Sequence, residues 1–576
     1  MDKPNTIRKR PQKSSEDSPS SKVPRAVKKE RGRPTIWVGI GLTLALGFVW
    51  YIKPLLYAPK NLPVKIESPA VNVSTDHERR DAVVEAFKSS WAAYERDAYG
   101  FDNYHPIGKT GSDLVKAGGI GYMIVDVLDT MQIMNLTAEY TRAREWVATE
   151  LDFDRDGDFN TFETTIRVLG GLLSAYHLSS GDPVYLEKAK DLGKRLLTAF
   201  ETPSGLPLAK VNLKKRKGVG EQWQPYLVGT AEVGTLQLEL KYLSHLTGNE
   251  EYWRKAEKVM EVIKSQNTNE GLVPIYMNAY SGRFIPSEIR LGSRGDSFYE
   301  YLLKQYLQTG EEVYKGMYEE SMTGIHKHLL VTGLNEGHLY TSEFILGGHD
   351  PTTGQPTGWE RSPKQDHLVC FLGGSLLLGA ATTPGALVDV PRRPSELSEV
   401  GRRDWDTGIK LIETCVDTYD TATGLSPEIA HFYVAGDGRD PKENGFKDWY
   451  VKGMESPGSP PSYDARYMLR PETVESLFIA YRLTGDPKYR EQGWKIFQSI
   501  QEHAHVESGG YVTVLDVNNV DSEREDKMET FFLSETLKYL FLLFSDRDVI
   551  PLDRYVFNTE AHPLPRFIPT TRTGFS

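Results

Sequence analysis

A chain of 576 residues, 39% of them hydrophobic, can bury a large core, in one big domain or in several smaller ones. Its formal net charge of -11 argues against nucleic acid as a general partner. The charge is unevenly distributed. Residues 1–34 are rich in Lys, Arg, Ser and Pro, include Arg8-Lys9-Arg10 and Lys28-Lys29, and read as a disordered basic tail. Thr35–Ile52 then carries no charged residue and places Trp and Tyr towards its ends. As a helix it is just long enough to cross a hydrocarbon layer of roughly 30 Å. Arg31 and Arg33 precede it, so the positive-inside rule puts the N-terminus in the cytosol and everything after Ile52 in the lumen or outside the cell, a single-pass type II anchor. Residues 53–79, with several prolines, read as a stem. Asn72-Val73-Ser74 and Asn135-Leu136-Thr137 are N-glycosylation sequons, usable on the lumenal side. Cys370 and Cys415 are the two cysteines. An oxidising lumen favours a bridge between them, worth about 3–4 kcal/mol, over two buried thiols.

Past residue 80 the pattern is helical and repeats. Segments 172–197, 238–263, 301–325 and 477–500 each combine an apolar helix, a Gly-Asp, Gly-Asn or Gly-Glu turn, an aromatic residue and a second, amphipathic helix. Gly181, Gly248, Gly310 and Gly485 mark the turns as helix C-caps. Self-similarity at this period means stacked helical hairpins, with room for roughly seven between residues 80 and 555. Such hairpins form an open solenoid or a closed α/α toroid. The first helix of each pair is the more apolar all round, which favours a closed barrel with those helices as its inner ring.

Candidate chemistry lies at or just before the inner helices. In Leu469–Phe478, Pro471 suits a helix start, Glu472 falls in the first turn where free amides favour a carboxylate, and Glu475 projects from nearly the same face. Glu163 opens another helix with Arg167 one turn on. Asp296 follows Arg294 and precedes Glu300, Glu428 follows a Gly-Leu-Ser-Pro turn, and Glu529 sits in Lys527–Phe532. Each alone reads as a cap or an ion pair sooner than as a catalyst. Together, at one end of a barrel, they suit glycosidic cleavage, which needs one carboxylic acid and one carboxylate across the bond. A competing motif spans Asp152–Glu163, whose spacing matches an EF-hand calcium loop, although no second EF-hand is present to pair with it.

Segments 162–182, 291–305, 366–374, 424–429, 469–478, 527–546 and 556–564 closely resemble class I α-1,2-mannosidases, glycoside hydrolase family 47, over about residues 80–565. The likeness is greatest to its fungal endoplasmic reticulum members, and the type II anchor fits them. The resemblance implies an all-α (α/α)7 barrel with short β segments at one end, a tail over 566–576, and calcium-dependent, inverting removal of terminal α-1,2-mannose from high-mannose N-glycans of glycoproteins. The implied location is the endoplasmic reticulum membrane, with the Golgi as the alternative; the alternative activity is a lectin that binds glycoproteins without turnover. Carried over by motif, Glu163 is the general acid, acting through water, and Glu472 the base, with Asp296 helping to place water or proton and Glu428 a further acidic site residue. Inversion implies a carboxyl separation of roughly 6.5–9.5 Å, and burial is expected to keep Glu163 protonated. Thr559 matches the calcium ligand, with Glu475, Glu529 and Glu560 holding the ion's waters. Arg167, Arg294, His367 and Arg470 match glycan-contacting or charge-setting positions, and Cys370–Cys415 the family disulfide. Arg294 resembles the endoplasmic reticulum subclass, where Golgi relatives usually have Leu. Insertions at 346–363 and 380–403 depart from the family and are expected at the barrel rim.

Overall fold

The computed structural model describes residues 73–576 apart from 267, 269, 349–357, 384–385, 388–393, 437–446 and 455–458. The basic tail, the expected anchor at 35–52 and Asn72 lie outside these residues. Among the described residues no helix is long and apolar enough to cross a membrane. In chain order the helices are α1 (His77–Asp97), α2 (Tyr122–Asp126), α3 (Leu128–Ile133), α4 (Thr137–Thr149), α5 (Gly170–Leu178, continuing a π-helical Thr164–Leu169), α6 (Pro183–Leu196), α7 (Thr230–Gly234), α8 (Gln237–Thr247), α9 (Glu250–Lys264), α10 (Asp296–Thr309), α11 (Glu312–His328), α12 (Phe371–Ala381), α13 (Glu399–Asp417), α14 (Glu472–Thr484), α15 (Lys488–His503) and α16 (Leu537–Phe544).

Among the described residues, α3, α5, α8, α10, α12, α14 and α16 each pack on the next, and the π-helical Phe532–Thr536 ahead of α16 closes back on α3. This is a ring of seven inner helices. Their outer partners are α4, α6, α9, α11, α13, α15 and, for the last, the first helix of the chain, α1. Composition decides which layer a helix joins. In α10 every residue from Ser297 to Thr309 is buried. In α9 only Tyr252, Trp253, Ala256, Glu257, Val259, Met260 and Ile263 are, at the spacing of a single face. Asp182, Asn249 and Ser398 cap the outer helices α6, α9 and α13 with their side chains. Gly248, Gly310 and Gly485 end α8, α10 and α14 in the left-handed conformation at φ 69°, 74° and 69°. At the first repeat the helix already stops at Ser179, two residues before Gly181.

Short strands lead the chain to the N-terminal ends of inner helices. They include β1 (Asp158–Asn160) before the Thr161–Glu163 turn, β2 (Leu227–Gly229) before α7, β3 (Tyr276–Asn278) and β4 (Arg283–Ile285) paired beside β2, and β5 (Lys364–Asp366) paired with β6 (Ile429–Phe432). The last hairpin, β7 (Tyr555–Phe557) with β8 (Pro563–Pro565), runs through the barrel. Its base adjoins the C-terminal end of α10, Tyr306–Gly310, whereas its tip, Thr559 and Glu560, reaches the N-terminal ends. Val556, Phe557 and Leu564 bury it there.

Several boundaries shift. The barrel begins by Val73, which is buried, and Asp76 donates its N–H to Phe544 at the end of α16, so the last stem residues belong to the domain. The C-terminal tail also packs: the Phe567 N–H donates to Gln308, Thr573 to Glu311, and Phe575 meets Tyr314 edge-on. Cys370 and Cys415 are disulfide bonded and tie the start of α12 to α13. The described part of the 346–363 insertion forms a hairpin, Glu343–Leu346 against Trp359–Ser362.

Two glycines separate backbone effects from packing. A Cβ on Gly310 or on exposed Gly316 of α11 meets nothing within 4 Å, and only Gly310 has a positive φ. Gly310→Ala should destabilise the chain by about 1 kcal/mol and Gly316→Ala stabilise it by about 0.5–1 kcal/mol, read from denaturant midpoints.

Candidate active site

A helix N-terminus offers unpaired N–H groups and the positive end of the dipole, so carboxylates collect there. The N-terminal ends of five inner helices, α5, α10, α12, α14 and α16, meet around one mouth. The cavity there, about 280 Å³, is lined by Glu163, Arg167, Glu232, Arg294, Asp296, Glu300, Arg470, Glu472, Glu475, Glu535, Thr559 and Glu560, with Phe162, Leu368, Phe371 and Phe531 as apolar walls.

Glu472 is the first residue of α14, and Pro471 is its N-cap, one position earlier than the sequence suggests. Its carboxylate lies 2.8 Å from His367 Nδ1 and 3.9 Å from Arg470 Nη1. His367 is buried and fixed from behind by Tyr419 at 3.0 Å and Thr473 at 3.2 Å. Enclosure would raise the Glu472 pKa, but the His367 hydrogen bond and charge, with Arg470, outweigh it and hold the group below the ordinary range. Arg470 is itself gripped by Glu428 through contacts of 2.6, 2.7 and 2.9 Å. Glu428 therefore reaches the cavity through Arg470 and does not line it.

Asp296, first residue of α10, stands in the opposite condition. Enclosure pushes its pKa up to about 7 against one N–H from Ser297, and the charges of Glu300, Glu472 and Asp366 add to the rise. Arg294, two residues earlier, sits at φ 70°, a strained angle for a bulky residue. Its guanidinium is 3.3 Å from Glu232 and lies over the Tyr276 ring at 5.4 Å.

Glu163 accepts from Arg167 Nε at 2.8 Å and from the Tyr122 hydroxyl at 3.3 Å, and its side chain is 35% exposed. The burial expected to protonate it is not present. Arg167 also reaches Glu560 at 2.6 Å and Asp126 at 3.7 Å, joining the mouth to the hairpin tip. Beneath that tip lies a closed set of charges. His562 meets Asp129 at 2.8 Å and Asp126 at 3.2 Å, while Lys538 meets Asp129 at 2.9 Å and donates to the Ala561 carbonyl at 2.8 Å. All four side chains are fully buried. Burial opposes the charge on His562, yet Asp129 and Asp126 hold its pKa at about 9. Asn558 completes the lock, accepting from the N–H groups of Glu560 and His562 and donating to Glu239 and the Ile166 carbonyl.

Around Thr559 negative charge exceeds positive. Lys304 pairs with Glu300 and lies 3.5 Å from Glu475. Burial still pushes Glu475 up to about 7 and Glu560 to about 8, and it raises Glu535 well above the carboxylate range, with Glu560 adding to the effect. The donors are all oxygen, crowded and under-compensated, which suits a hard cation such as calcium with its 6–8 oxygen ligands.

The structure thus brings together Glu163, Arg167, Arg294, Asp296, Arg470, Glu472, Glu475, Thr559 and Glu560 of the expected set, with His367 and Glu428 directly behind. Glu529 is not among them. It precedes the π-helical turn and pairs with Lys527 at 2.7 Å; Glu535, inside that turn, lines the cavity instead. The signal for Glu535 is one acid within the apolar run Phe531–Phe544, and for Glu300 an acid with Lys304 four residues on in a helix buried all round. The EF-hand alternative is not met. Residues 158–160 are a strand, and the acids are drawn to neighbours: Asp154 to Lys214 at 3.5 Å, Asp156 to Lys215 at 2.7 Å, Asp158 to Asn212 at 2.9 Å.

A family model described as glycosyl hydrolase family 47 matches residues 86–566. A mannosyl-oligosaccharide 1,2-alpha-mannosidase of Candida albicans is 45% identical over 497 residues, covering 84% of this chain and 83% of the relative. An endoplasmic reticulum mannosyl-oligosaccharide 1,2-alpha-mannosidase of Saccharomyces cerevisiae is 39% identical over 558 residues, covering 91% and 96%. Among solved structures, an alpha-1,2-mannosidase from Trichoderma reesei superposes with TM-score 0.72 at 30% identity, covering 86% of this chain and all of that one.

The raised acids fix a pH trend. Asp296, Glu475 and Glu560 keep protons in the folded chain at pH values where the unfolded chain has lost them, so the folded state binds more protons and stability falls as pH rises towards their folded pKa values. With chelator present, the thermal midpoint should fall steadily between about pH 5 and pH 8. Glu475→Gln should flatten that slope.

Proposed function

Because the chain belongs to glycosyl hydrolase family 47, we propose that it is a calcium-dependent, inverting α-1,2-mannosidase that removes terminal mannose from high-mannose N-glycans of glycoproteins. The observation that carries this reading is the contrast between two acids on one cavity wall. Glu472 is kept ionised by His367 and Arg470, whereas Asp296 is pushed up to about 7 and can hold a proton near neutral pH.

Cleavage with inversion needs a base to take a proton from the attacking water and an acid to give one to the departing oxygen. Glu472 is the base. His367 fixes its orientation and, with Arg470, keeps it charged. Glu163 stands at the cavity wall as the acid, its proton delivered through water, with Tyr122 and Arg167 orienting the carboxyl. Asp296 holds a proton beside Glu472 and orders the water between them. Thr559 would hold calcium directly, and Glu475, Glu300, Glu535 and Glu560 would hold its waters. When bound, the ion supplies positive charge for the sugar's hydroxyls. Arg294 and Glu232 at the mouth contact the glycan beyond the cleaved unit.

Relatives named for the endoplasmic reticulum support that compartment, with the Golgi as the alternative, and the apolar 35–52 stretch supports attachment to its membrane. Nothing in the net charge favours nucleic acid. A lectin without turnover is disfavoured, since Glu163, Asp296 and Glu472 all line one cavity.

The test is a nine-mannose N-glycan incubated with the protein and calcium. Mannose should be released and chelator should stop the release; no release, or release indifferent to chelator, would overturn the reading. Glu472→Gln should lower kcat by about 10²–10⁴-fold while glycan binding and calcium-induced thermal stabilisation persist.

A further inference from the structure

The rim beside Arg294 carries an aromatic patch that the proposed chemistry leaves unused. β2 runs into α7, whose Ala231 and Glu232 line the cavity, and it is preceded by the loop 220–226. The loop is pinched at its base: a Cβ on Gly220 would lie 1.8 Å from the Pro225 carbonyl oxygen. The residues between stand out, and Trp223 is 89% exposed. At the foot, Tyr226 lies beside Tyr280 of the β3–β4 turn with ring centroids 5.2 Å apart, 42% and 56% exposed. The Ala279 N–H donates to the Tyr226 carbonyl at 2.7 Å and fixes the pair.

This patch is continuous with the cavity mouth. Met277 of β3 is fully buried, so Tyr276 and Asn278 face outwards by alternation. Tyr276 carries the Arg294 guanidinium, and the Asn278 side chain accepts from the N–H groups of Tyr280 and Ser281. From Tyr226 to Ala231 is five residues of chain, a span of at most about 18 Å. That is within reach of a branched oligosaccharide whose end lies in the cavity, and none of Trp223, Tyr226 and Tyr280 lines the cavity itself. The chemistry suits sugar. Tyr and Trp present flat apolar faces with a polar edge, complementary to the C–H face and hydroxyl rim of a pyranose. Gln222 and Gln224 flank Trp223, and the one charge in the loop, Glu221, is paired with Lys210 at 2.9 Å. Exposed aromatic clusters of this kind mark binding surfaces.

We propose that Trp223, Tyr226 and Tyr280 form a distal subsite that stacks mannose units of the glycan remote from the one being cleaved, so that these residues set preference for large glycans. The proposal rests on the mannosidase reading above.

The test is the full chain carrying Trp223→Ala and Tyr280→Ala together. KM for a nine-mannose glycan should rise about two- to tenfold per lost stacking contact, with kcat unchanged. The inhibition constant of a mannose-configured iminosugar, which fills the cavity alone, should not move. An unchanged glycan KM would overturn the subsite, and so would an iminosugar constant rising in step with KM, which would mean damage to the cavity itself. If the chain without substitutions releases no mannose, the mannosidase reading falls and this inference falls with it.

Discussion

The ion pairs of Asp126 and Asp129 with His562 and Lys538 hold a polar hairpin tip inside the barrel. Everything at the mouth depends on this lock. A loop of backbone inside a protein must satisfy its own N–H and C=O groups; Asn558, Lys538 and Tyr301 do so for groups within 558–562, and Glu239 holds the Tyr301 and Asn558 side chains in place. With the tip so fixed, Thr559 and Glu560 stand among carboxylates delivered by inner-helix N-termini. Removing one partner of such a set leaves a buried charge unpaired, which costs about 3–5 kcal/mol. The site is therefore a feature of barrel closure and not a late addition to it. Closure itself joins the two ends of the domain, with α1 against α16.

Identical side chains take different roles because their surroundings differ. Glu472 and Glu475 are one helical turn apart, yet His367 and Arg470 keep the first ionised while burial and the neighbouring acids push the second to about 7. Glu428 spends its charge on Arg470, which steadies a cation at the wall without adding another free acid. Asp296 accepts from the Ser297 N–H and, at 3.4 Å, from its hydroxyl, while burial and the charges of Glu300, Glu472 and Asp366 push it up to about 7. The cavity thus combines an ionised carboxylate with carboxyl groups pushed up to about 7 and 8 within one wall of acids.

Much of this was legible in the chain. Helical hairpins follow from the Gly-Asp and Gly-Asn turns, and the inner ring from helices apolar on every side; the left-handed φ at Gly248, Gly310 and Gly485 is the physical reason those turns read so clearly. The motif resemblance carried most site residues to one cavity. What failed were assignments that depend on local register or on distant partners. Glu529 and Glu535 lie six residues apart in similar sequence, and only the π-helical turn decides which one faces inwards. The Glu163–Arg167 pair is local, one turn apart, but the 35% exposure of the Glu163 side chain depends on the packing around it and shows only in the fold. His562 and Asp129 are separated by 433 positions, so nothing local announces their contact. The acidic loop at 152–163 matched a calcium pattern because patterns register acids and not the lysines that strand pairing brings beside them.

The central claim is that Glu472, held ionised by His367 and Arg470, directs a water onto the sugar from the face opposite the leaving oxygen, while a second carboxyl group of the cavity supplies the proton that oxygen takes. The most direct measurement is the anomeric form of the first mannose released, followed by proton NMR from the earliest turnover of an α-1,2-linked glycan in the presence of calcium. The account predicts β-mannose appearing first and relaxing to the equilibrium mixture. Initial release of α-mannose would contradict it, because retention requires a covalent glycosyl-enzyme intermediate and a nucleophile where this account places water.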